Sequence, residues 1–119
     1  MKTYRHKGLY GERNVYVMET LEDFDEYEKL LLSKDPDYIK KCNPNFYEFK
    51  DDFIKYIGKT WQNKEKLFRN VPKETKYKVI ALEDDCAMAD WYWLVQNVDD
   101  ERESRYILAN SPDLRKGLV

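Results

Sequence analysis

The sequence predicts an α+β domain, and three observations carry that prediction. Apolar residues recur at three- and four-residue steps from Leu21 to Phe68, then at every second position from Tyr77 onward. The segments of the second kind are joined by connections short enough for antiparallel hairpins. Helices gathered before a meander, rather than alternating with its strands, pack on one side of it. The expected architecture is an N-terminal strand, two or three helices, and a three-stranded antiparallel meander packed against the helices. With 119 residues the chain has room for one such domain, spanning 1–119.

The first element is the run Arg13 to Met18, rich in β-branched and aromatic residues, with Gly8 and Gly11 marking a turn before it and residues 2–6 as a partner strand. Thr20 then has the chemistry of a helix N-cap, and Glu22 and Asp23 place negative charge where the helix dipole favours it. Leu21, Phe24, Tyr27, Leu30 and Leu31 carry that helix to about Ser33. Asp35-Pro36 reads as a fresh helix start, with Tyr38, Ile39 and Cys42 as its apolar side and Asn43-Pro44 as its stop.

The longest expected element is a helix from about Asn45 to Arg69, because Phe46, Phe49, Phe53, Ile54, Ile57, Trp61 and Phe68 fall along one stripe. Gly58 in its middle costs about 1 kcal/mol relative to alanine and marks a bend. Val71-Pro72 ends it. Three strands follow, Tyr77 to Leu82, Asp90 to Val98 and Ser104 to Ala109, with Glu83 to Ala89 and Asp99 to Glu103 as loops.

A sheet with one solvated face alternates apolar with polar residues. Here both faces are apolar: Trp91, Trp93 and Val95 on one side of the second strand, Tyr92, Leu94 and Val98 on the other. The first strand sets Tyr77, Val79 and Ala81 against Ile80 and Leu82. Helices cover one face. The other is covered by the N-terminal segment and the tail Leu114 to Val119, is buried in a homodimer, or stays open as an aromatic patch for a partner.

Charge is dense but nearly balanced, 37% of residues for a net of −2, and it is segregated. Glu19 to Glu28 is acidic, as are the two expected hairpin loops around Asp84 and Asp85 and around Asp99 and Asp100. Lys55, Lys59, Lys64, Lys66 and Arg69 concentrate on the long helix and Lys73, Lys76 and Lys78 beyond it. Acidic loops steer a basic partner; a basic helix meets phosphates, with Tyr56 or Trp61 for stacking. Trp61 falls on the apolar stripe, however, and a pI of about 5.5 is far from a nucleic-acid footprint.

Catalytic signatures are missing. The one histidine, His6, has no serine or cysteine in a recognisable nucleophile pattern. Cys86 lies among Glu83, Asp84, Asp85 and Asp90, whose charges disfavour a thiolate, and Cys42 reads as a small buried residue. Those four acids have the oxygen chemistry of a magnesium or calcium site but not the spacing or glycine of a calcium loop. Zinc fits more poorly still, because Cys42, Cys86 and His6 are scattered singly, and the four glycines form no phosphate loop, so no metal and no cofactor is expected.

No run of about 18 apolar residues is available to span a bilayer, and no hydrophobic core follows the basic N-terminus as a secretory signal requires. Two distant cysteines fit a reducing cytosol better than a disulfide framework. Lysine outnumbers arginine and alanine is scarce, a usage that fits AT-rich codons of a bacterium or phage. The leading expectation is a non-catalytic protein-binding domain of the regulator, inhibitor or immunity type. Its contact residues are expected to be Tyr77, Asp84, Asp85, Asp90, Trp91 and Trp93. Nucleic-acid binding along helix 45–70 and a small metal-assisted enzyme are the alternatives.

Overall fold

The computed structural model describes residues 1–8, 11–85 and 90–119, and the side chains of these except residues 6–8 and 11–13. The α+β class holds, and the sheet is larger than expected. Strand β1 (Lys2–Gly8) pairs antiparallel with β2 (Gly11–Met18), from Lys2 opposite Val17 to Gly8 opposite Gly11. Helices α1 (Leu21–Lys34), α2 (Tyr38–Cys42) and α3 (Phe46–Tyr56) follow, then β3 (Thr60–Gln62), β4 (Lys76–Asp85), β5 (Asp90–Asn97), β6 (Ser104–Leu108) and α4 (Asp113–Gly117). Strand order is β1-β2-β4-β5-β6, and β3 pairs with the first residues of β4. His6 and Cys86, weighed above as chemical groups, lie outside the described side chains.

Local sequence accounts for α1. The Thr20 hydroxyl accepts the Asp23 amide N–H at 3.2 Å, and the Asp23 carboxylate accepts those of Glu19 and Thr20 at 2.8 and 3.1 Å. This reciprocal cap satisfies donors that the first helical turn leaves over. Phe24, Tyr27 and Leu31 form its buried stripe. Helix α2 begins at Tyr38, after a turn in which Asp35 accepts the Asp37 amide at 2.9 Å, so Pro36 lies in the turn before the helix. Cys42 is exposed rather than buried.

The expected long helix is divided. Helix α3 ends at Tyr56, where Ile57 turns extended and Gly58 adopts φ +78°, a left-handed conformation that glycine accepts without steric cost. The Gly58 amide donates to the Val79 carbonyl and the Val79 amide to the Lys59 carbonyl, at 2.8 and 2.9 Å, which opens the β3–β4 pairing. Trp61 is buried, as its place on the stripe implies, but from a strand. Its indole N–H donates to the Asp113 carbonyl at 3.1 Å, and Leu118 bridges to it.

Gly117 packs so tightly on the Trp61 indole that a Cβ there overlaps the ring. Gly117→Ala is therefore expected to cost about 1–3 kcal/mol by overpacking. Thermal unfolding with a wild-type comparison measures that loss; an unchanged melting temperature contradicts the packing.

One face of the sheet meets the helices. Paired residues in a ladder share a face, so the register puts Trp91, Trp93 and Val95 of β5 together with Leu82, Val79 and Tyr77 of β4 and Ile107 of β6. A bulge at Ile80 lets Val79 and Leu82 face the same side and turns Ala81 to the other, reversing the alternation expected for Ala81 and Leu82. Phe24, Phe46 and Phe49 close over Trp91, with ring centroids 6.0, 6.0 and 5.1 Å away. Leu114 of α4 enters this same core, so the C-terminal tail joins the helical side instead of covering the second face.

Candidate functional site

The residues expected to make a partner surface are mostly interior. Tyr77, Trp91 and Trp93 are buried, Trp93 to 2% exposure, so no aromatic patch is built from them. Tyr77 donates its hydroxyl to Glu103 at 2.7 Å; burial and then that bond push its pKa up to about 12. Asp84 and Asp85 belong to β4 and not to a hairpin loop, because β2 pairs with Leu82 through Asp85. Asp84 turns to the helical side, where its carboxylate accepts the Tyr27 hydroxyl at 2.5 Å and the Asn43 amide at 3.1 Å. The Trp91 indole N–H reaches the Asn43 carbonyl oxygen at 3.3 Å, which links Trp91 to the same part-buried polar network. Asp85 is buried opposite Asp90, the half-buried first residue of β5.

The basic residues are scattered as well, since the helix that was to carry them stops at Tyr56. Lys55 closes α3, Lys59 precedes β3, and Lys64, Lys66 and Arg69 occupy the loop after it. Lys64 donates to the Leu118 carbonyl and Lys66 to that of Arg69, at 3.0 and 3.3 Å. Among the described residues no group of three His, Cys, Asp or Glu side chains is placed to hold a metal, nor is any helix long and apolar enough to cross a membrane.

The second face is buried at its centre, at Val15, Val17, Ala81, Glu83 and Asp85, and is exposed at its β6 end. The register places Tyr92 beside Leu108, Leu94 beside Tyr106 and Ala81 beside Leu94 on that side, with Glu83 beside Tyr92 and Tyr4 of β1 beside Val15. Tyr106 is 53% exposed and Leu108 38%. Tyr106 donates to the Glu83 carboxylate at 3.4 Å. Burial, and then the Glu83 charge, raise the pKa of both Tyr4 and Tyr106, so the two phenols stay protonated donors. Sequence reading assigned Tyr106 and Leu108 to a strand but gave them no role. Their alternation with Arg105 and Ile107 was the available signal.

Tyr106 and Leu108 also lie on an edge. Strand β6 ends the strand order. The Asn97 amide donates to the Glu103 carbonyl and the Ala109 amide to that of Trp91, both at 2.9 Å. Backbone groups alternate in direction along an antiparallel ladder. Those of Arg105 and Ile107 therefore point to β5, and those of Ser104 and Tyr106 point outward. A shallow groove of about 500 Å³ runs beside this edge, lined by Phe68, Arg102, Ser104, Arg105 and Tyr106.

The floor of that edge is pinned by Glu103. Its carboxylate accepts the Asn97 amide at 2.6 Å, the Tyr77 hydroxyl at 2.7 Å and the Arg105 guanidinium at 3.0 Å, and these bonds hold its pKa below the usual range. A group depressed on folding stabilises fully above its unfolded pKa, about 4.3 for glutamate, and loses that contribution as pH falls through the folded value. The melting-temperature gap between wild type and Glu103→Gln is thus expected to be widest above about pH 5 and to shrink toward pH 3. A gap that stays constant over this range contradicts the assignment. Comparison with known proteins finds no match, whether among family models, curated proteins or solved structures.

Proposed function

We propose that this chain is a non-catalytic protein-binding domain, acting in the reducing cytosol as a small regulator or inhibitor, and that its partner adds an extended strand to β6. The observation that carries this reading is the outward backbone edge of Ser104 and Tyr106 beside an exposed Tyr106–Leu108 face. An open edge gives a peptide main-chain hydrogen bonds, and alternate side chains on the adjoining face give it specificity. Tyrosine supplies large contact area with few rotatable bonds to order. Exposed Cys42 fits a compartment that keeps thiols reduced.

The test is affinity capture from host lysate with nuclease added, using wild type and a Tyr106→Ser/Leu108→Lys double variant whose unchanged melting curve shows that it folds. One nuclease-resistant protein recovered in stoichiometric amount by wild type, and at least about tenfold less by the variant, is the expected result. Equal recovery by both overturns the placement on β6. Recovery that depends on nucleic acid overturns the protein-binding reading. A second copy of this chain as the recovered partner, seen as a dimer in sedimentation, replaces the regulator with a self-associating domain.

A further inference from the structure

A strand added antiparallel to β6, the reading on which this inference rests, sends its side chains alternately to the two faces of the sheet. Residues directly opposite each other share a face. Partner residues opposite Ser104 and Tyr106 meet the outward backbone groups and lie on the second face, beside exposed Tyr106 and Leu108. The partner residue between them lies opposite Arg105, on the helical face. That pair is of the closer kind, without mutual backbone hydrogen bonds, so its two side chains meet directly.

The position opposite Arg105 is rich in donors and short of acceptors. The half-buried Arg105 guanidinium lies over the Phe68 ring, 5.1 Å from its centroid, and its Nε–H donates to Glu103 at 3.0 Å. A guanidinium carries only donors, and the fold uses part of this one. The rest of it lines the groove, together with exposed Arg102. Glu103 lines the groove too, but its oxygens already accept from Asn97, Tyr77 and Arg105. A carboxylate brought to this place supplies the missing acceptors as charge-assisted hydrogen bonds. Phe68 and Glu103 fix the guanidinium before the strand arrives, so little side-chain freedom is lost on contact. On the other face the exposed Tyr106 ring and Leu108 call for an apolar neighbour.

We infer that the partner strand carries an aspartate or glutamate opposite Arg105 and an apolar residue opposite Tyr106. The probe is the acetylated and amidated peptide Thr-Thr-Val-Glu-Val-Thr-Thr, with glutamine and lysine replacing the central glutamate as comparisons. Each is titrated into the full isotope-labelled chain to about 10 mM, ten times a Kd of about 1 mM. The readout is the backbone amide signals of Ser104 and Tyr106 in two-dimensional NMR. The glutamate peptide is expected to shift both saturably, at least about fivefold more tightly than the glutamine peptide and about tenfold more tightly than the lysine one. In Arg105→Gln the preference for glutamate over glutamine is expected to fall to about one; the wild-type comparison needs no folded variant. Equal affinity for glutamate and glutamine peptides at these amides overturns the acidic requirement and leaves strand addition standing. A preference that survives in folded Arg105→Gln does the same. If no peptide moves the Ser104 and Tyr106 amides, strand addition at β6 is itself overturned, and the inference with it.

Discussion

Trp93→Ala is expected to destabilise the protein by about 3–5 kcal/mol, the cost of emptying a filled core position. In a domain of this size that lowers the melting temperature by about 12–20 °C. Trp93 is 2% exposed, pairs with Leu82 and Ile107 across the sheet, and meets the Tyr56 ring edge-on at 6.0 Å. Nothing in the fold collapses easily into that space, because the sheet backbone fixes its distance from α3. Thermal or urea unfolding checks the value. A loss below about 1 kcal/mol means that the ring lies at the surface, as an interface anchor would.

Charge reversal at Asp84 has a comparable effect for a different reason. Asp84→Asn keeps the shape but weakens the bonds from the Tyr27 hydroxyl and the Asn43 amide, and is expected to cost about 1–3 kcal/mol. Asp84→Lys puts an uncompensated cation among buried rings and is expected to cost about 3–5 kcal/mol, a large fraction of the roughly 5–15 kcal/mol that keeps a domain folded. The ratio of the two variants is the informative quantity. A residue in a solvated loop tolerates both changes equally, so lysine and asparagine variants that melt together would place Asp84 outside the core.

The sequence was most readable where structure is local. The Thr20 cap, the stripe of Phe24, Tyr27 and Leu31, and the strands β5 and β6 all follow from residues near one another in the chain. The end of α3 was hidden because Trp61 and Phe68 continue its apolar spacing. In the structure Trp61 is buried from β3 and Phe68 is half-buried from the loop after it, and the two rings meet at 5.2 Å. Gly58 was the sign that the helix stops, and its left-handed φ shows why a stop won over a bend. Asn63 holds the loop that replaces the helix, donating to the Phe68 and Val71 carbonyls at 2.9 Å each and accepting the Phe68 amide at 3.1 Å.

The acidic run Glu83-Asp84-Asp85 was misleading for a similar reason. Charge at a chain reversal usually means solvent, but this run lies in a central strand. Tyr27 and Asn43, which donate to the buried Asp84 carboxylate, are 57 and 41 residues away from it in the chain. Long-range compensation of that kind leaves no local trace. The two-sided apolar pattern of the sheet was real. Which side faced inward could not be read until the bulge at Ile80 set the phase of β4.

Amide hydrogen exchange on β6, measured free and in complex with the captured partner, tests the strand-addition account most directly. The outward N–H groups of Ser104 and Tyr106 are expected to exchange quickly in the free protein, while those of Arg105 and Ile107, bonded to β5, exchange slowly. In the complex the outward pair is expected to slow by about a hundredfold or more, as ladder hydrogen bonds form. Exchange at Ser104 and Tyr106 that is unchanged while the partner stays bound would contradict docking at this edge.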